Sequence, residues 1–143
     1  DPFIVISINK FNGSRGNKFN TRVGDYVAVI YKDKIYPAIV GDGGPTFKVG
    51  EGSLRLAKEI NSAASPINRP VSTLGVTYVV FPGTAPGTRA APDYELWRRE
   101  CAKLLGEIGG LGAGYELHQW EDTLKQPEPV IDESIESTDD VTE

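Results

Sequence analysis

An α+β fold, mainly β and built on a small β-barrel with two helices, is what these 143 residues predict. Three observations carry that expectation. Short runs of β-branched and aromatic residues recur along the chain, Gly- and Pro-rich turns separate them, and only two stretches repeat their apolar residues at helical spacing.

Pro2 to Ile8 opens the chain as a strand, because Phe3, Ile4, Val5, Ile6 and Ile8 favour extended backbone. Asn9 to Arg22 is polar and follows neither the helical nor the strand period, which predicts a loop. Asp25 to Lys32 and Ile35 to Val40 read as two strands of a hairpin that turns at Lys32-Asp33-Lys34. Gly41 to Gly50 holds four Gly and one Pro, a tightly shaped loop. Ser53 is placed to cap a short helix whose apolar face is Leu54, Leu56, Ala57 and Ile60. Asn61 to Pro70 is a further loop, and Gly75 to Phe81 a strand ended by Pro82-Gly83. Pro92 suits the first turn of the longest helix, and Asp93 and Glu95 suit its positive N-terminal end. Trp97, Cys101, Leu104, Leu105 and Ile108 form the stripe of that helix, and Gly109-Gly110 stops it. Tyr115 to Trp120 is the closing strand.

Charge divides the chain in two. Residues 1–120 carry 14 Lys or Arg against 11 Asp or Glu, a net of +3; residues 121–143 carry 1 against 9, a net of −8, and the whole is −5. Residues 1–120 are therefore expected as one domain and 121–143 as an acidic, disordered tail too poor in apolar residues to offset its ordering entropy. A body of +3 without a Lys/Arg cluster argues against nucleic acid as a partner. No apolar run approaches the roughly 18–20 residues of a membrane-spanning helix, so no membrane partner is expected. Cys101 is the one cysteine and His118 the one histidine, which excludes an internal disulfide and a Cys- or His-rich metal site. No cofactor and no metal are expected.

The segment that stands out runs Val40-Gly41-Asp42-Gly43-Gly44-Pro45, then Val49-Gly50-Glu51-Gly52-Ser53. Each carboxylate is flanked by Gly, which lets backbone approach closely and leaves the acid open to a bulky ligand. Cleavage of a glycosidic bond needs two carboxyls on opposite sides of it, one to protonate the leaving oxygen and one to activate water or attack directly. The same residues also fit a structural reading, with Asp42 capping a turn and Glu51 in the first turn of the helix begun at Ser53. Residue types and spacing leave both readings open.

A resemblance bears on the choice. Asp25-Tyr26-Val27-Ala28-Val29-Ile30, Tyr36-Pro37-Ala38-Ile39-Val40-Gly41-Asp42-Gly43-Gly44-Pro45, Gly50-Glu51-Gly52-Ser53-Leu54 and Val76-Thr77-Tyr78-Val79-Val80-Phe81-Pro82-Gly83 together resemble glycoside hydrolase family 75, the fungal-type chitosanases. The likeness runs from about Phe3 to Gly110. It implies an endo-acting hydrolase of β-1,4 bonds in chitosan-like polymers. The family's two acids fall on Asp42 and Glu51, and the implied mechanism is inverting, with Glu51 as acid and Asp42 as base. Tyr36, Lys48 and Ser53 are the expected substrate-binding residues. A polysaccharide or oligosaccharide partner, a monomeric enzyme and secretion go with that reading. This chain has only Gly43-Gly44-Pro45 before Thr46, where fungal members carry a longer acidic loop. The strand, Gly-Asp-x-Gly-Pro and helix-capping Ser are also similar to double-psi β-barrels, which include peptidoglycan lytic enzymes. The alternatives are a catalytically inactive carbohydrate-binding or structural domain on the same fold, and a peptidoglycan lytic enzyme.

The remaining chemistry-bearing residues have plainer expectations. His118, in a late segment of the chain, is expected to pack or lie at the surface. Trp97 belongs to the apolar stripe of the long helix, Trp120 suits either core or a sugar platform, and Arg98-Arg99 suit a solvated helix face. Tyr26, Tyr31, Tyr36 and Tyr78 alternate along strands, where they pack with their hydroxyls wet; one or two of them suit a sugar groove.

Overall fold

The hairpin forms as the sequence predicts, and the rest of the sheet assembles on it. In the structure, a computed structural model that describes residues 1–12, 19–67 and 75–123, β2 (Tyr26–Tyr31) pairs antiparallel with β3 (Lys34–Gly43) from Tyr31↔Lys34 to Tyr26↔Ile39. The two-residue turn between them is made possible by Lys32, which takes a φ of +54°. β1 (Phe3–Ile6) lies parallel to β3, and β4 (Glu51–Gly52) lies antiparallel to β1. β5 (Thr77–Val80) pairs antiparallel with β2, giving the order β4-β1-β3-β2-β5, and β6 (Glu116–Leu117) adds to β3 in parallel. The fold is α+β and mainly β, a mixed sheet with, among the described residues, three helices: α1 (Ile8–Asn12), α2 (Leu54–Ile60) and α3 (Tyr94–Glu107).

Three expectations change. The barrel does not close by hydrogen-bonded strands, since β4 and β5 stand at opposite edges and do not pair. Their edges nevertheless meet through a side chain, the Tyr78 hydroxyl lying 3.5 Å from the Glu51 carbonyl oxygen. α1 is a third helix inside the stretch expected as a loop; a single turn with a Phe11 N–H to Ser7 carbonyl bond of 3.0 Å forms there without a helical period long enough to see. β3 runs on through Asp42 to Gly43, and Glu51 sits in β4 rather than in a helical turn. Residues 13–18 and 68–70 of the expected loops, and 124–143 of the tail, lie outside the described residues.

The core is the face of the sheet that carries Ile4, Val40, Val27 and Val29, all fully buried, joined by Leu56 of α2. α3 packs on β2 and β3 and buries Trp97, Cys101 and Leu105, which explains why β2 is apolar at consecutive rather than alternate positions. Asp93 caps α3, its Oδ1 accepting the Leu96 N–H at 2.9 Å. Arg55 of α2 ties distant parts of the chain together. Its guanidinium lies 4.9 Å from the Tyr94 ring and 5.2 Å from the Trp120 ring, and it donates to the Glu121 carbonyl. Trp120, 5% exposed, donates its indole N–H to the Pro37 carbonyl at 2.7 Å.

Candidate active site

Val5 is the residue about which the site is built. β1 runs between β3 and β4, so Val5 has Asp42 opposite on one side and Glu51 opposite on the other. Directly opposed residues point to the same face of a sheet, so both carboxylates rise from the face that carries Val5. Two strand spacings separate them, roughly 10 Å between Cα atoms.

A bulge sets this register. β1 and β3 shift against each other between Ile4 and Val5, so that Asp42, rather than Gly41, meets Val5. The Phe3 ring fills the place where a side chain at Gly41 would be; a Cβ there would lie 2.4 Å from ring carbons. Only Gly fits. Because strand side chains alternate, an unbulged strand would turn Asp42 to the opposite face, where Val40 lies against Ile4.

Asp42 is exposed, and its Oδ1 accepts the Gly43 N–H at 2.7 Å, so the structural reading of Asp42 as a local turn acceptor holds alongside its place on the shared face. Glu51 Oε2 lies 3.2 Å from Lys48 Nζ, with the glutamate side chain 43% and the lysine 57% exposed. Tyr78 stands beside Glu51; burial first, and the Glu51 carboxylate second, push its phenol above the ordinary range.

A cleft of about 260 Å³ opens next to this row. Among the described residues its walls are Val5, Ile6, Ser7, Phe11, Phe19, Thr21, Val49, Gly50, Tyr78, Val80 and Pro82, none of them charged. Phe11 and Phe19 are also substantially exposed to solvent. Ser7 precedes α1 and its carbonyl accepts the Phe11 N–H, but its hydroxyl caps nothing. Ser7 Oγ is fully buried and has no partner among the described residues.

Of the expected substrate-binding residues, the structure brings only Lys48 to the carboxylates. Tyr36 is 4% exposed and lies six residues from Asp42 along β3, roughly 20 Å at strand rise. Its ring packs 5.1 Å from that of His118 and 6.1 Å from that of Trp120, which makes it a core residue. Ser53 is also buried, and its Oγ accepts the Phe3 N–H at 3.1 Å and the Leu56 N–H at 3.2 Å. It holds β1 to the start of α2 and has no face toward a ligand. Ser7, Tyr78, Phe11 and Phe19 are the residues that sequence reasoning did not place at the site. The two phenylalanines, isolated in a polar stretch, were its available signal.

Elsewhere the single residues are structural. His118 is half-buried, 4.4 Å from the Trp120 ring centroid, with Nε2 3.8 Å from Glu59. Cys101 is buried, and desolvation pushes its thiol up to about 12. Among the described residues no group of three His, Cys, Asp or Glu could hold a metal ion, and no helix is long and apolar enough to cross a membrane.

A family model described as fungal chitosanase of glycosyl hydrolase group 75 matches residues 1–111, a span from before β1 to beyond α3 that contains both carboxylates. No curated protein matches the chain.

Proposed function

The chain belongs to glycosyl hydrolase group 75, the fungal chitosanase family, and on that premise we propose that it is an endo-acting hydrolase of β-1,4 bonds in chitosan-like polysaccharide, working with inversion through Asp42 and Glu51. The observation that carries this reading is their shared row, one on each side of Val5. Glu51 in its acid form protonates the glycosidic oxygen, which leaves with the departing sugar. Asp42 takes a proton from water as that water attacks the anomeric carbon from the opposite face. Inversion needs the two carboxyls roughly 6.5–9.5 Å apart. Cα atoms two strands apart, with side chains standing on one face, support that span better than the roughly 5 Å of a retaining pair. The side-chain bridge from Tyr78 to the Glu51 carbonyl supports a barrel-like curl that keeps β4 in place.

Lys48 must release Glu51 when the sugar enters. Both partners are well exposed, and exposed ion pairs are worth only about 0–1 kcal/mol, so the release is cheap. The same pair supports a second reading, a carbohydrate-binding domain in which Glu51 is held by Lys48 and no proton is transferred. In the hydrolase reading the enzyme acts as a secreted monomer, since polymers of this kind are met outside the cell.

The test is a pair of isosteric substitutions. Asp42→Asn and Glu51→Gln each keep the fold and each lower turnover on chitosan by roughly 10²–10⁴. NMR of the first products formed by the unmodified protein reads the anomer directly. Full activity in either variant sinks the assignment of that residue, and a product of retained configuration sinks inversion. A protein that binds chitosan without cleaving it supports the second reading.

A further inference from the structure

We infer that the cleft beside Glu51 receives an N-acetylated sugar residue, so that the protein selects the acetylated units of its polymer; as a statement about cleavage, this rests on the hydrolase reading above. Three independent features of the cleft converge on that ligand.

The first is its wall. Val5, Phe11, Phe19 and Val80 suit a methyl group and the C–H face of a sugar ring, and among the described residues no carboxylate lines the cleft to pair an ammonium. At about 260 Å³ it lies just below the roughly 300–1,000 Å³ of common ligand clefts, room for one sugar's substituent rather than for a chain. The second is Ser7. Buried polar atoms are nearly always paired, and Ser7 Oγ, in the wall of this cleft, has no partner among the described residues. An acetamido group can supply the partner this hydroxyl lacks, through a carbonyl oxygen that accepts from the Ser7 O–H or, in the reverse orientation, an N–H that donates to its lone pair. The third is charge. Glu51, the carboxylate beside the cleft, is already paired with Lys48 at 3.2 Å, so it has little attraction left for the ammonium of a deacetylated unit, and a neutral amide needs none. An ammonium entering here loses water and finds, among the described residues of the wall, no acid to pair it.

The test reads binding and turnover separately, both with the whole chain. Tri-N-acetylchitotriose and fully deacetylated chitotriose are titrated by calorimetry at low ionic strength. The acetylated trimer is expected to bind about tenfold tighter or better, and Ser7→Ala to weaken it about fivefold, the cost of one hydrogen bond. Lys48→Gln is expected to narrow the gap by improving the deacetylated trimer. Equal or reversed preference overturns the inference, and so does a Ser7→Ala variant that binds the acetylated trimer like the parent. Ser7→Ala removes an unpaired hydroxyl, so its melting curve is expected to match the parent; a variant that fails to fold leaves the Lys48→Gln comparison and the parent's own preference to decide. Turnover is then read on partly acetylated chitosan, with the acetylation of the new chain ends identified by NMR. Preferential binding without turnover keeps this inference and removes the hydrolase reading. Turnover with acetyl groups distributed at random over the new ends keeps the hydrolase and removes the inference.

Discussion

Asp25 is fully buried, and its two oxygens hold separate parts of the chain. Oδ2 accepts the Arg22 N–H at 2.8 Å and Oδ1 the Ala85 N–H at 2.9 Å, which pins the chain after β5 to the turn before β2. Asp25→Ala leaves two part-buried backbone donors without their acceptor, at up to about 1–3 kcal/mol each. A loss of about 2–4 kcal/mol in denaturant unfolding is expected, and a loss below 1 kcal/mol would mean that water replaces the carboxylate. His118 gives the molecule a pH dependence of known sign. Burial, helped by Lys34 and Arg55 and opposed by Glu59 and Glu116, lowers its pKa below the ordinary 6.5. The unfolded chain therefore binds the proton more readily than the folded one. The stability from neutral His118 is complete above about pH 6.5 and is lost as pH falls through the folded value. Between pH 7.5 and 5 the parent should lose more thermal midpoint than His118→Gln; parallel curves would remove His118 as the cause. Glu116 and Glu121 lie near His118 in the sequence, yet the carboxylate that reaches its Nε2 is Glu59, from α2 across the fold. Long-range partners of this kind have no sequence signature.

At the scale of the element, the bulge between β1 and β3 governs the site. Gly41→Ala puts a methyl group into the Phe3 ring. Overpacking of this kind costs about 1–3 kcal/mol, and relief requires either the ring or the register to move. The variant should melt lower and lose turnover on chitosan by more than its unfolded fraction explains, because a shifted register turns Asp42 away from Glu51. Normal turnover at full folding would show that the bulge is not what aims Asp42. The strands of the hairpin, the capped α2 and the long α3 were legible because each follows from local chemistry: β-branched runs, Ser53 before Leu54, and Asp93 before an apolar stripe. α1 and β4 were not, since five and two residues are too few to show a period. Ser53 misled for a related reason. A residue that caps a helix and one that meets a ligand have the same polar signature, and only the approach of β1, which brings the Phe3 N–H to Ser53 Oγ, separates them.

At the scale of the whole molecule, the body extends at least to Trp120, whose indole is bonded to Pro37. Residues 124–143 are Pro-rich, acidic and poor in apolar side chains, a composition with little to bury against that body. Removal of everything after Thr123 should leave the thermal midpoint unchanged; a fall of several degrees would mean that the tail pairs with basic groups of the body. The two glycine-flanked acids were visible in the sequence, and the family likeness singled them out, but the cleft was not. Its walls come from β1, β5 and the segments around Phe11, Phe19 and Val49, which the sheet gathers from far apart in the chain. The position of β1 has a consequence in time as well as in space. This strand precedes the other strands of the sheet in the chain, yet Val5 meets Asp42 after 37 further residues and Glu51 after 46. The opening strand must wait, unpaired, until the β2–β3 hairpin offers it an edge, and closing a loop of that length is slower than zipping a hairpin. Refolding should therefore produce secondary structure before it produces competence: the acids come into line only when the first-made strand is the last to be seated.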